Sequence, residues 1–251
     1  MERFRDRHVV VTGASAGIGR AVARRLAREG ARLSLLARRA EALEETAATC
    51  GGGHVEVCDI RDRRAVDRAF AGAAAANGRI HALVAVSGIG GGNEPGDDDR
   101  WDDLVATNLS GTYWCLRAAE RHLAPGPEER HLVVVSSILA RIAVPGYTGY
   151  SASKAGLLGL VRSLAAELAP QNVQVNAICP GWVETEMAWQ GLDAVPGKSR
   201  EEAYADAMRE VPLGRMARPE EIAGTVAWLL SADARGVTGQ AIDHNNGAWM
   251  G

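Results

Sequence analysis

Short apolar runs rich in β-branched residues recur along the first 180 residues, and most are followed by a stretch whose apolar positions return at helical spacing. The runs 8–12, 33–37, 54–58, 82–86, 132–136 and 173–178 read as strands buried on both faces. Segments 18–29, 40–49, 62–76 and 151–169 read as helices, with a broken helical stretch over 101–123. This alternation predicts parallel strands joined by right-handed crossovers: an α/β chain with a single doubly wound parallel sheet and helices on both faces, a Rossmann fold. After Pro180-Gly181 the pattern loosens. Gly191, Pro196 and Gly197 interrupt it, which predicts a mobile lobe over about 182–215 before a helix at 219–231 and a short strand at 240–243. No linker, internal repeat or low-complexity tract marks a boundary, so residues 1–251 read as one domain.

Composition narrows the class. With 251 residues, 47% hydrophobic, 24% charged and a net charge of −3, the chain falls in the range of ordinary globular proteins and has length enough for a core without staples. Cys50, Cys58, Cys115 and Cys179 have no metal-ligand or disulfide-framework spacing, so no metal site is expected and the natural reading is a reducing compartment, the cytoplasm. The start Met-Glu-Arg-Phe-Arg is charged and no apolar run approaches the ~20 residues of a membrane span, so neither a signal peptide nor a membrane partner is expected. Interspersed charge without a basic stripe argues against nucleic acid. Of the 28 Lys and Arg, only Lys154 and Lys198 are lysine. A lysine in this chain therefore invites the question of what arginine could not do.

The residues Thr12-Gly13-Ala14-Ser15-Ala16-Gly17-Ile18-Gly19 join the first strand to the first helix. Glycines there let backbone come close to a pyrophosphate at a helix N-terminus, where free N–H groups and the helix dipole favour an anion. Gly13, Ser15 and Gly17 also fit G-x-S-x-G, the nucleophile elbow of a serine hydrolase. That reading wants its serine after several strands and a late histidine, and it has only His244, in a polar stretch. The dinucleotide reading places its specificity at the end of the second strand, where a carboxylate would accept from the ribose 2′-hydroxyl of NAD. The chain has Ala37-Arg38-Arg39 instead, so Arg38, helped by Arg39, is the candidate for the 2′-phosphate of NADP. Asp59 suits either an adenine amine or the cap of the next helix.

Tyr150-Ser151-Ala152-Ser153-Lys154 opens a helix and puts tyrosine and lysine one turn apart, with Ser137 ending a strand upstream. An ammonium near a phenol stabilises the phenolate and brings proton transfer toward neutrality. With these residues in place, the chain resembles the short-chain dehydrogenase/reductase family along almost its whole length. The resemblance runs through T-G-A-S-A-G-I-G, Cys58-Asp59-Ile60, Asn108 in A-T-N-L-S-G, Ser136-Ser137, Y-S-A-S-K, P-G-W-V-E-T at 180–185 and V-P-L-G-R at 211–215. It implies a catalytic tetrad: Tyr150 as acid or base, Ser137 on the substrate carbonyl, Lys154 on the nicotinamide ribose and tuning Tyr150, and Asn108 holding a water of the proton relay. It also implies cofactor contacts at Gly13, Ser15, Gly17, Ile18, Gly19, Asp59, Ile60, Gly88, Pro180, Gly181, Val183 and Thr185. Two departures stand out. Ala85-Val86-Ser87-Gly88 replaces the family's N-N-A-G, which removes asparagines that brace neighbouring strands, and Ala16 stands where NADPH-preferring relatives carry a base.

Around the carbonyl site the variable positions are Ile138, Leu139, Val144, Tyr147, Trp182, Met187 and Trp189, an apolar set suited to an acyl chain or ring. The segment 180–215 looks most like 3-oxoacyl thioester and polyketide ketoreductases, although Gln171 replaces an arginine that carrier-protein reductases often present. The expected activity is hydride transfer between NADP(H) and a ketone or secondary alcohol, with NAD(H) use, as in an alcohol or diol dehydrogenase, as the alternative. A non-catalytic nucleotide sensor is disfavoured because it has no use for a tuned phenol. Leu157, Leu160, Val161, Leu164 and Leu168 fill one helix face, while Ala155, Gly159 and Ala166 line another with small side chains. That second face and the apolar Ala248-Trp249-Met250 ending lead to the expectation of a homo-oligomer, by resemblance a homotetramer.

Overall fold

The computed structural model describes residues 2–251. Its strands are β1 (His8–Thr12), β2 (Arg32–Ala37), β3 (His54–Val57), β4 (Ala82–Ala85), β5 (Arg130–Val135), β6 (Val173–Pro180) and β7 (Ala241–His244). All pair in parallel, in the order β3-β2-β1-β4-β5-β6-β7. The expected doubly wound sheet is thus the observed one. Successive side chains of β1 alternate between two cores. Val9 and Val11 face one with α1 (Gly17–Arg28), α2 (Ala40–Thr49) and a late helix carrying Ile222 and Val226. Val10 faces the other, with Phe70 of α3 (Arg63–Asn77) and with Leu116 and Leu157 from later helices. Burial on both faces explains why the central strands read as continuous apolar runs. Strand order reverses between β1 and β4, which opens a crevice at the carboxyl edge of the sheet.

Three elements differ from the sequence reading. The broken stretch 101–123 resolves into α4 (Trp101–Val105), a π-helical turn at Ala106–Gly111 and α5 (Thr112–Arg121). The next helix, α6 (Thr148–Leu168), starts before Ser151, so Tyr150 lies inside its first turn. The lobe is also more ordered in pattern than its glycines and prolines suggest. It holds α7 (Glu186–Asp193) and α8 (Arg200–Arg209), packed on a small core of Leu192, Ala203, Met208, Val211 and Met216. Both helices have side-chain caps: Thr185 Oγ1 accepts from the Ala188 N–H, and Ser199 and Glu202 form a reciprocal capping box. The pattern Ser199-x-x-Glu202 was the legible start signal. α9 (Pro219–Leu229) begins with Pro219 at its first position, as Pro favours.

Candidate active site

The glycine turn sits at the crevice. Gly13 and Gly17 have φ of +66° and +50°, a region open to glycine at little cost. Space decides as well: a Cβ on Gly13 would lie 2.9 Å from the Ser87 backbone nitrogen, and one on Gly19 would lie 2.2 Å from the Gly13 carbonyl oxygen. Downstream of this turn α1 begins with no side-chain cap and no acidic residue in its first turn, leaving N–H groups and the positive end of the dipole for an anion. Thr185 closes the seat from the other side, 3.1 Å from where a Gly17 Cβ would be. The neighbouring Val183 is buried and bridged to Ala217, Pro180 ends β6, and Gly181 comes so close to Asn245 that a Cβ would be 3.1 Å from its Cα. Ile18, half-buried, packs against the α1 core.

These residues fit a dinucleotide. Arg38 is exposed just past β2 and forms no ion pair among the described residues, so its guanidinium is available to a phosphate. Asp59 holds its neighbour Arg61. Its carboxylate accepts from the Arg61 guanidinium at 2.8 Å and from the Arg61 N–H at 2.9 Å, and the Arg61 hydrogen bond holds it below the ordinary carboxylate range. The cap of α3 is Asp62, which accepts from the Arg64 N–H, so the capping option for Asp59 is corrected. The Ile60 side chain is buried in the core, against Gly111, where a Cβ would lie 2.7 Å from Ile60 Cγ1. The hydrolase reading fails on distance in the fold. Ser15 follows the central strand β1, whereas His244 ends the edge strand β7 and pairs with Thr225 at 2.8 Å.

A hydroxyl braces the segment after β4. Thr12 Oγ1 accepts from the N–H groups of Val86 and Ser87 at 3.1 and 3.2 Å and so braces β1 against the segment leaving β4. Gly88 then passes close to the catalytic side: its Cβ would lie 3.0 Å from Asn108 Oδ1 and 3.4 Å from Lys154 Nζ. Asn108, fully buried in the π-helical turn, accepts from the Ile89 N–H and donates to the Ile89 carbonyl and to Ser153 Oγ. Both its amide hydrogens are used. These two donors pin the loop after β4 to α6. Ser153 passes the link on by donating to the Tyr150 carbonyl at 2.7 Å.

Ser137 lies just past β5 with its hydroxyl accepting from the Leu139 N–H at 3.1 Å. Lys154 Nζ, buried, donates to the Val135 carbonyl at 3.0 Å and lies 5.7 Å from the centre of the Tyr150 ring. Burial pushes the Tyr150 phenol above its ordinary value, opposed by the Ser137 hydroxyl beside it. Burial likewise pulls Lys154 down to about 8. In the chain alone, desolvation is the leading effect on both groups, and the ammonium lies over the ring face.

Of the substrate-side residues, Ile138 is buried, Leu139 is half-buried, and Tyr147 meets Tyr150 edge to face with centroids 6.5 Å apart. Val144 and Met187 are exposed, and Met187 lies against the loop after β4, its sulfur 2.9 Å from where a Gly90 Cβ would be. Trp182 and Trp189 are partly buried. Both pack on the small core of the lobe, Trp189 stacked on Tyr204 at 5.7 Å with the Arg200 guanidinium over its ring, 5.6 Å from the centroid. Sequence reasoning passed over Thr12, Asn93 and Ser153 as functional residues: Thr12 and Ser153 lie inside the glycine-turn and Y-S-A-S-K motifs without being singled out, and no local motif marks Asn93.

A parallel sheet with a glycine turn on one side of its crevice and serine, tyrosine and lysine on the other defines a nicotinamide-dependent oxidoreductase. Residues 13–248 match the family model described as enoyl-(acyl carrier protein) reductase. A Streptomyces virginiae protein named as a ketoacyl reductase of the monensin polyketide synthase is 36% identical over 97% of both chains. The 3-oxoacyl-(acyl carrier protein) reductase of Escherichia coli is 32% identical over 98% of this chain and 99% of its own. Among solved structures, an actinorhodin polyketide ketoreductase with NADPH aligns with a TM-score of 0.89 at 33% identity, covering 96% of this chain and 97% of that one. The chain belongs to the short-chain dehydrogenase/reductase family, enzymes that act on a CH–OH group or ketone with a nicotinamide cofactor.

Proposed function

We propose that the chain reduces a ketone carried on an acyl thioester or polyketide-like substrate, with NADPH as the preferred cofactor. The observation that carries the reading is the juxtaposition of Ser137, Tyr150 and Lys154 with a glycine turn whose neighbouring strand, β2, is followed by Arg38 rather than a carboxylate. The names of the polyketide and 3-oxoacyl reductases it matches support the substrate class. Gly13 to Gly19 and Thr185 would hold the pyrophosphate, Arg38 the 2′-phosphate, and Lys154 the nicotinamide ribose. The bound nicotinamide supplies the hydride. Ser137 donates to the substrate carbonyl oxygen, and Tyr150 gives that oxygen its phenol proton. Lys154 has three donors, one of them given to Val135, so two remain for the ribose and for the proton path. The burial that penalises a lone phenolate and a lone ammonium favours the two formed together.

Exposed Ala155 and Ala166 flank Gly159 on the outer face of α6, and this low-relief surface supports a homotetramer. We further assign residues 182–215 to a lobe that moves over the substrate as a unit, held by its own core. No helix among the described residues is long and apolar enough to cross a membrane, and cytoplasmic location is proposed on the cysteine usage. Following nicotinamide absorbance with a panel of 3-oxoacyl thioesters and free ketones tests the central reading. NADPH oxidation dependent on Tyr150 is expected; faster turnover with NADH, or none with any ketone, overturns it.

A further inference from the structure

The catalytic helix begins in an unusual way. The residue at its N-cap, Tyr147, offers no side-chain cap, yet the second residue of the helix, Gly149, is buried, where water cannot serve its N–H. The acceptor comes from a distant loop: Asn93 Oδ1 takes the Gly149 N–H at 2.7 Å. Asn93 is itself buried, and its amide donates to Asp99 Oδ1 at 3.0 Å, the same oxygen that accepts from the Trp101 N–H at the start of α4. Its backbone N–H donates to the Gly146 carbonyl at 2.8 Å, which fastens the loop to the segment entering α6. Gly149 makes the approach possible, since a Cβ there would lie 3.1 Å from Leu104 Cδ1 and 3.2 Å from Asn93 Oδ1.

We propose that Asn93 is a positioning residue for the reaction, a cap supplied from outside the helix that fixes Gly149 and through it the neighbouring Tyr150 against Ser137. The inference rests on the reading of Tyr150 as the proton donor. Asn93 touches neither substrate nor cofactor in this account. It acts on the first turn of α6, while Asn108 and Ser153 hold the same turn from the Tyr150 carbonyl side. Tyr150 is thus fixed at the amide before it and at its own carbonyl. Losing one hold lets the phenol drift from the Ser137 hydroxyl, which favours its ionised form.

The test compares Asn93→Ala, Asn93→Asp, Asp99→Asn and the exchanged pair Asn93→Asp with Asp99→Asn. The exchange keeps the acceptor for Gly149 and leaves no facing carboxylates: the carboxylate at 93 accepts from Gly149, while an amide at 99, where one oxygen served both Asn93 and Trp101, can donate to 93 or accept from Trp101. Asn93→Asp alone sets two carboxylates face to face. Asn93→Ala should lower kcat about tenfold, the scale of one buried hydrogen bond at about 1.4 kcal/mol, with KM for NADPH unchanged. The apparent pKa governing kcat should move upward as Ser137 ceases to favour the phenolate. The exchanged pair should regain kcat that Asn93→Asp loses. Unchanged kcat and pH profile in Asn93→Ala overturn the proposal, as does a parallel fall in kcat and cofactor binding that tracks thermal stability alone. Tyr150→Phe runs beside these: if it stays active, the reading of the site fails, whatever Asn93 shows.

Discussion

Lys154 is one of two lysines in a chain that otherwise uses arginine, and its setting explains the exception. A compact ammonium fits under the Tyr150 ring while donating to the Val135 carbonyl and keeping two further donors. A planar guanidinium carries its donors in a fixed fork and needs more room. Lys154→Arg should therefore reduce turnover by two orders of magnitude or more, about 2.7 kcal/mol, with circular dichroism and melting temperature close to the parent. An active arginine variant would remove Lys154 from the chemistry. Arg38 is the second residue whose role stands alone, exposed and without an ion partner among the described residues. Arg38→Asp should weaken NADPH by roughly ten- to more than a hundredfold, about 1.5 to 3 kcal/mol for a charge-assisted contact, with far less effect on NADH. Titration of both cofactors by fluorescence decides, and equal losses would refute the 2′-phosphate assignment. Glycines, Tyr150 and Lys154 were legible because their chemistry needs neighbours close in sequence. Asn93 was not legible, because its partner Gly149 lies 56 residues away and only the fold brings them together.

At the scale of elements, boundaries followed local signals and errors followed distant ones. The start of α6 was placed too late because its cap belongs to another loop, and the lobe helices were missed because Gly191 and Pro196 outweighed two good caps. The brace on the segment after β4 was not legible for the same reason: the partners of Thr12 lie 74 and 75 residues downstream. Two backbone N–H groups share that one oxygen, so Thr12→Val keeps shape and removes both bonds. A loss of about 2 kcal/mol is expected for leaving two partly buried donors unpaired, read as a lower urea midpoint. Because Gly13 and Gly88 flank the braced segment, NADPH affinity should fall with it. A variant as stable as the parent would show that Thr12 is no brace.

The whole molecule depends on histidines that must stay neutral. His8 ring nitrogens meet the Gly78 carbonyl and the Ser34 hydroxyl at 2.8 Å each, and burial holds its pKa down at about 4. His131 is also about 4, from burial first, and neither of its ring nitrogens has a partner. Both lie below the ordinary value of 6.5. Below about pH 6.5 the unfolded chain binds protons that the folded chain refuses, so stability present at neutrality is lost between about pH 6.5 and 4, by about 3 kcal/mol per histidine. Acid titration of ellipticity should show this, and His131→Leu should shift the unfolding midpoint to lower pH; an unmoved midpoint would discount His131. The parallel sheet itself was legible throughout, since each strand carries its own apolar run. What no run could reveal is when the parts meet. Thr185 closes the glycine turn from a position nearly three quarters of the way along the chain. During synthesis the turn at Gly13 to Gly19 leaves the ribosome early and stays open on one side until Thr185 follows. A nascent chain therefore completes the proposed nucleotide seat only after Ser137, Tyr150 and Lys154 have already emerged, so cofactor capture would report a chain that already carries the proposed proton-transfer residues.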